Sequence, residues 1–172
     1  MSSKFYAVCD LGGEVGRVTL GTLHQDRIAL SERRRFQNVP IQDKDSLQWD
    51  IPHVYREMLD GLREIGSHEE PLKSISCSSS SADYMLFSSD GSLLLPTYHY
   101  RDPRAAEGAK EVFARIAWEM VYGETGVQSL PGSTLVQLGV EKSRRLRKAS
   151  QLMPVGDGFN FLLAGVPRVE QS

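Results

Sequence analysis

Few of the groups that announce a specialised chemistry are present in this sequence. Cys9 and Cys77 are the only two cysteines in 172 residues, too few for a disulfide framework and not at metal-ligand spacing. His24, His53, His68 and His99 are scattered, with no two at the helical i, i+4 spacing, so no transition-metal site is expected. No apolar run approaches the roughly 18 residues that a membrane span needs. The N-terminus runs straight into a strand-like segment, without a signal peptide's apolar stretch and cleavage site. Charge of one sign is not in excess either. A formal charge of −2 gives no general attraction to nucleic acid or to an anionic membrane. A cytoplasmic chain without nucleic-acid or membrane partners is the expectation.

What is present is one domain's worth of chain with ordinary apolar and charged fractions, enough to bury a core. Residues 4–9 are apolar and β-prone, and Asp10-Leu-Gly-Gly13 reads as a turn. Val15–Leu23 places Val18, Leu20 and Thr22 on one face of a second strand, His24–Asp26 turns, and Ile28–Phe36 offers a third. The three predict an antiparallel meander. A polar loop with Pro40 leads to Trp49-Asp50-Ile51-Pro52, where Asp50 is placed to cap a helix running to about Ile65. Ile51, Val54, Tyr55, Met58, Leu59 and Leu62 then form a single buried stripe.

Beyond Pro71 the pattern predicts strands at 72–77, 82–87 and 93–100, with a turn at Ser88–Gly91. Helices follow at about 104–122 and 135–148, and a short one at 159–163. The order is mixed α/β in a single domain over residues 1–172.

Three segments have the composition to carry chemistry. In Asp10-Leu-Gly12-Gly13-Glu14-Val15-Gly16-Arg17, glycines let backbone N–H groups turn toward an anion, the acid suits a hydrated magnesium ion, and Arg17 suits phosphate. A plain glycine-rich hairpin explains the same residues. The run leads into a strand, so it is neither a Walker loop nor a dinucleotide fingerprint. Near Ser76–Tyr84, Asp83 is placed to accept polyol hydroxyls or to sit solvated in a small-residue loop. Tyr98-His-Tyr100-Arg101-Asp102-Pro-Arg104 combines a ring with an Arg-Asp pair, which suits a sugar, while Asp102-Pro103 also suits a helix start. The basic run Lys142–Lys148 lacks interleaved aromatics and reads as a solvated helix face.

Taken in order, several blocks resemble the FGGY carbohydrate kinases, and most closely their rhamnulokinase branch. They are Ala7–Gly12 with Gly16-Arg17-Val18, Leu47–Asp50, Tyr98–Arg104, Tyr122–Gln128, Leu130–Leu138, and Leu152-Met-Pro154 with Phe159–Gly165. The resemblance covers residues 5–170. It implies an actin-like, ribonuclease-H-like fold with a mixed five-stranded sheet flanked by helices. It also implies phosphorylation of a sugar, a ketose such as rhamnulose, by ATP and magnesium. On this reading Asp10, Gly12, Gly13, Glu14, Gly16 and Arg17 face the phosphates, with Asp10 the magnesium ligand, and Asp83, Tyr100 and Arg101 line the sugar pocket. No catalytic residue is assigned, because the family's catalytic aspartate and adenine-binding domain are expected beyond this length, on an adjoining segment or a second chain. Isolated activity is therefore expected to be negligible, and a non-catalytic remnant or carbohydrate-binding module stands as the alternative. Val15, Ser78, Ser80 and Ser133 depart from the family pattern, the two middle ones in the expected pocket. The family fold also implies that Cys9 and Cys77 are neighbouring thiols.

Overall fold

In the computed structural model, residues 3–66, 71–128 and 130–170 are described; His68 lies outside them. The first elements are β1 (Lys4–Leu11), β2 (Val15–His24), β3 (Arg27–Gln37), β4 (Ile41–Asp43), β5 (Ser46–Gln48) and α1 (Ile51–Gly66). Next come β6 (Leu72–Ser79), β7 (Tyr84–Phe87), α2 (Arg104–Phe113), α3 (Trp118–Thr125) and α4 (Thr134–Gly139). Last are α5 (Ser143–Leu146), β8 (Gln151–Pro154) and α6 (Val155–Ala164). No helix among the described residues is long and apolar enough to cross a membrane.

Read from its length as one domain, the chain packs as two compact units. The first takes the described residues through Pro40, those of Asp50–Ser80 and those from Val155 onward; the second takes Ile41–Trp49 and Ser81–Pro154.

In the first unit the expected meander forms. The sheet order is β3-β2-β1-β6, with β6 parallel to β1 and the other pairs antiparallel. Of the five strands implied by resemblance, the described residues supply four to this sheet. Strand alternation sends Ala7, Cys9 and Leu11 of β1, with Val18 and Leu20 of β2, into the core. The α1 stripe buries Ile51, Val54, Met58 and Ile65, each stabilising by about 1.5–3 kcal/mol. Asp50 caps α1 as expected, its Oδ1 accepting the His53 N–H at 3.0 Å. On α6, Phe159 stacks on Tyr55 with centroids 6.5 Å apart. The Asn160 carboxamide pairs with the backbone of edge strand β6, accepting from Cys77 N at 2.9 Å and donating to Cys77 O.

Cys9 and Cys77 are register partners across β1 and β6, buried and unbridged. The Cys77 thiol also donates to Met58 Sδ at 3.5 Å. Its hydrogen bond with Cys9, and then burial, push the Cys77 thiol far up, so it stays neutral.

The second unit departs further from the sequence expectation. The loop before Trp49 contains a hairpin, β4–β5, turned by Lys44 at φ 53°. Strand β7 is buried along its whole length and pairs with β8. The strand expected at 93–100 is reduced to single bridges at Leu93 and Tyr98. The helix expected at 104–122 is two, because Ala117 takes an extended ψ of 138° before α3. The helix expected at 135–148 breaks at Val140 between α4 and α5. Helix α2 buries Ala105, Gly108 and Val112, whereas α3 buries nothing. The basic run is not wholly solvated: Arg145 turns inward to Glu141 and to the carbonyls of Leu94 and Pro96.

Candidate functional site

Two sets of candidate residues fall in different units. In the first unit, Asp10 stands one residue from the end of β1. Its register partners are Arg17 on β2 and Ser78 on β6. Paired residues share a sheet face, so an exposed carboxylate, a guanidinium and a hydroxyl form one row. Ser78, expected in the sugar pocket, thus belongs beside Asp10.

The hairpin's glycines serve packing and turning. A Cβ on Gly16 would fall 2.1 Å from the Phe36 ring, and one on Gly12 3.0 Å from Val15 O. Gly12 N already donates to Val15 O at 3.1 Å. The left-handed glycines among the described residues are Gly91, Gly126 and Gly165. None lies here, so the alternating conformation of a backbone anion nest is not formed by Gly12 and Gly13. Glu14 stands exposed at the tip. Buried Asn38, which sequence reasoning missed, fixes the loop by donating from Nδ2 to Gly12 O at 2.6 Å and from its backbone to Glu14 O.

In the second unit an open cavity of about 1010 Å³ has Ser81, Tyr100, Arg101, Asp102, Ser133 and Thr134 among its polar lining. Phe113, Trp118, Val121 and Leu130 are among its apolar walls. Tyr100 and Arg101, expected to line a sugar pocket, both line this cavity. The Arg101 guanidinium lies 5.1 Å from the Tyr100 ring centroid, within cation–π range.

Asp83 is not at the surface. It is fully buried, with Oδ2 accepting from Trp49 Nε1 at 2.7 Å and Oδ1 from Gln137 Nε2 at 2.8 Å. Burial pushes its carboxyl up, and the bonds from Trp49, Gln137 and the Tyr100 backbone oppose that, as does nearby His99. The expected ligand contact is thus a frame group: a carboxylate removed from water is held where neutral donors converge on it.

The same frame extends along 98–104. His99 is 1% exposed, tilts against the rings of Trp49 and Tyr100, and accepts the Arg101 N–H on Nδ1. Asp102 accepts from Leu47 N at 2.6 Å and from Arg104 N at 2.8 Å, so it does cap the start of α2. Arg104 lies 3.6 Å over the Tyr98 ring. Behind it, the Glu141 carboxylate takes Arg145 Nη1 at 2.9 Å on both oxygens, Tyr84 Oη at 2.8 Å, and Arg104 at 3.6 Å. Burial and then this carboxylate push the Tyr84 phenol up. Sequence reasoning gave neither Gln137 nor Glu141 a role, since each reads as an ordinary polar residue of a helix.

Among the described residues no three His, Cys, Asp or Glu side chains cluster as a metal site.

No family model matches the chain. It is 33% identical over 168 residues to a rhamnulokinase of Bacteroides thetaiotaomicron, covering 96% of this chain and 34% of that protein. A rhamnulokinase of Pectobacterium carotovorum subsp. carotovorum is 34% identical over 170 residues, with 96% and 34% covered. The chain thus spans about a third of the curated relatives it matches. Among solved structures, a gluconate kinase from Lactobacillus acidophilus superposes with a TM-score of 0.80 at 17% identity, over 96% of this chain and 34% of that one. A ligand-bound xylulose kinase from Lactobacillus acidophilus gives 0.78 at 17%, over 95% and 34%. The fold is the sugar-kinase fold, of actin-like type.

Proposed function

Because this chain corresponds to an N-terminal segment of an FGGY carbohydrate kinase, we propose that it supplies such a kinase with a sugar-binding cavity and a phosphate-facing hairpin. The sugar is a ketose of the rhamnulose kind, after the relatives' names. The observation that carries this reading is the division within Tyr98–Arg104. His99 and Asp102 are buried and hold the backbone, Asp102 at the cavity wall, while the less buried Tyr100 and Arg101 line the cavity. A ring and a charged fork suit the C–H face and hydroxyls of a sugar.

ATP and magnesium belong with the hairpin. When bound they supply the transferable phosphoryl group and the cation that neutralises its charge. An exposed lone carboxylate, Asp10, suits an ion that keeps most of its waters. Arg17, its cross-strand partner, suits a phosphate oxygen. Gly12, Gly13, Glu14 and Gly16 shape the turn.

The cavity's lining contains one carboxylate, Asp102, and both of its oxygens already accept backbone N–H groups. Binding groups are present there without an uncommitted base. We therefore assign this cavity the binding of a sugar and not the deprotonation of its hydroxyl. Transfer then draws on a base from an adjoining segment or a partner chain. That observation equally favours a second reading, a carbohydrate-binding module with the kinase fold. Neighbouring buried thiols left unbridged suit a reducing compartment, the cytoplasm.

Calorimetric titration of the chain with rhamnulose, then with magnesium-ATP, tests the proposal, with ADP formation assayed alongside. Saturable heat with both ligands supports the kinase reading, and heat with the sugar alone supports the module. No heat with any ketose contradicts both.

A further inference from the structure

The Gln137 side chain is 1% exposed, on α4. Its Nε2 lies 2.8 Å from Asp83 Oδ1, 2.9 Å from Gly132 O and 3.0 Å from Ala82 O. One amide nitrogen carries two hydrogens, yet three acceptors converge on it. Its Oε1 faces Arg104 Nη2 at 3.4 Å. Gly132 and Ala82 line the cavity, and Asp83 bonds the backbone of Tyr100, which also lines it. Gly132 also lies so close that a Cβ there would fall 2.5 Å from Tyr100 O. Thr134, one turn before Gln137, adds a hydroxyl bond to Ala82 O at 3.0 Å. Three stretches of cavity wall thus meet at one carboxamide.

We infer that Gln137 is a positioning residue of the sugar site: its Nε2 holds Asp83, Gly132 and Ala82 in register, and through Asp83 it fixes the backbone that presents Tyr100 and Arg101. This rests on the reading of the cavity as a sugar site. It goes beyond that reading in making a buried amide, with no contact to sugar, a determinant of affinity. The groups facing the Asp83 carboxyl are the Trp49 indole, the Gln137 amide, the Tyr100 backbone and the His99 ring. A donor at 137 lets the carboxyl stay ionised at lower pH; without one it takes a proton at higher pH.

The test uses two variants of similar volume. Gln137→Leu removes every donor. Gln137→Lys offers three N–H donors to the three acceptors. Three quantities are read: rhamnulose affinity by calorimetry, exchange of the Tyr100 amide, and the pH midpoint at which the Trp49 indole N–H resonance follows Asp83. For Gln137→Leu we expect about tenfold weaker sugar binding, about tenfold faster Tyr100 exchange, and an upward midpoint shift; 1.4 kcal/mol per tenfold sets the scale. For Gln137→Lys we expect affinity and exchange within about threefold of the parent and a downward midpoint shift. A residue that only fills space would give the reverse order, with leucine tolerated and lysine damaging. That order, or unchanged Tyr100 exchange and Trp49 midpoint in Gln137→Leu, overturns the inference. If the parent chain binds no sugar, the cavity reading falls, and the exchange and midpoint still decide whether Gln137 positions Tyr100.

Discussion

The sheet unit and the cavity unit are stabilised by different means. In the first, Ala7, Cys9, Leu11, Val18 and Leu20 are closed over by one apolar helix stripe, and Asn38 is the only buried polar residue among that unit's described residues. In the second, Asp83, Thr97, His99, Asp102, Gln137 and Glu141 are buried among the apolar side chains of β7, α2 and α4. An apolar core tolerates volume-conserving exchanges among its members. A buried polar frame is stable only while each member keeps its partner, and losing one leaves the others unpaired. The difference bears on the proposed sugar site: the cavity that displays Tyr100 and Arg101 is in the unit whose backbone is fixed by polar bonds.

The largest expected effect breaks that frame. Glu141→Ala removes a buried carboxylate and leaves the part-buried Arg104 and Arg145 beside one another without it, and it should destabilise the chain by about 3–5 kcal/mol in urea unfolding. A loss no greater than that of a surface substitution would remove the contrast between the units. Gly16→Ala is the counterpart in the sheet unit. Its methyl must displace the Phe36 ring, at about 1–3 kcal/mol, with the same measurement as check.

The pH dependence of Asp83 sharpens the comparison further. Its carboxyl is raised by burial, so the folded state favours the protonated form. Relative to Asp83→Asn, the parent should lose stability as pH rises from the unfolded value near 3.9 through the raised folded value, and stay level above it. Paired melts of the two proteins across that window check the sign; a parent that gains stability instead would show the hydrogen bonds outweighing burial. The smallest effect on folding is expected from Arg101→Ala. Its side chain is exposed, so stability should change by no more than about 0.5 kcal/mol while rhamnulose affinity falls about tenfold. Equal affinity would take Arg101 out of the site.

The sheet unit was legible because period-2 and period-3.6 apolar patterns are direct signals. Val18 and Leu20 marked one face of β2, and Ile51, Val54 and Met58 marked one face of α1. The cavity unit was less so. Helix α2 stops at Phe113 and α3 opens after Ala117 with no glycine or proline between them, and the stretch expected as a strand at 93–100 is held by backbone bonds to Leu86, Leu47 and Trp49, which lie at separate places in the sequence. The composition of 98–104 and the family resemblance both single out Tyr100 and Arg101, and both line the cavity. Asp83 was singled out for the right neighbourhood and the wrong exposure, because its burial depends on Trp49 and Gln137, 34 and 54 residues away. Gln137 lay in the Leu130–Leu138 block of the resemblance without a role of its own: a glutamine on a short helix becomes informative only once its three acceptors are seen.

The most direct measurement of the account uses the two tryptophans as internal reporters. Trp118 lines the cavity and is 45% exposed, whereas Trp49 is buried on Asp83. In a rhamnulose titration of the ¹⁵N-labelled chain, the Trp118 indole resonance should shift saturably while that of Trp49 stays in place. Movement of neither resonance, or of Trp49 alone, would contradict a sugar site built from Tyr100 and Arg101 over a fixed polar frame.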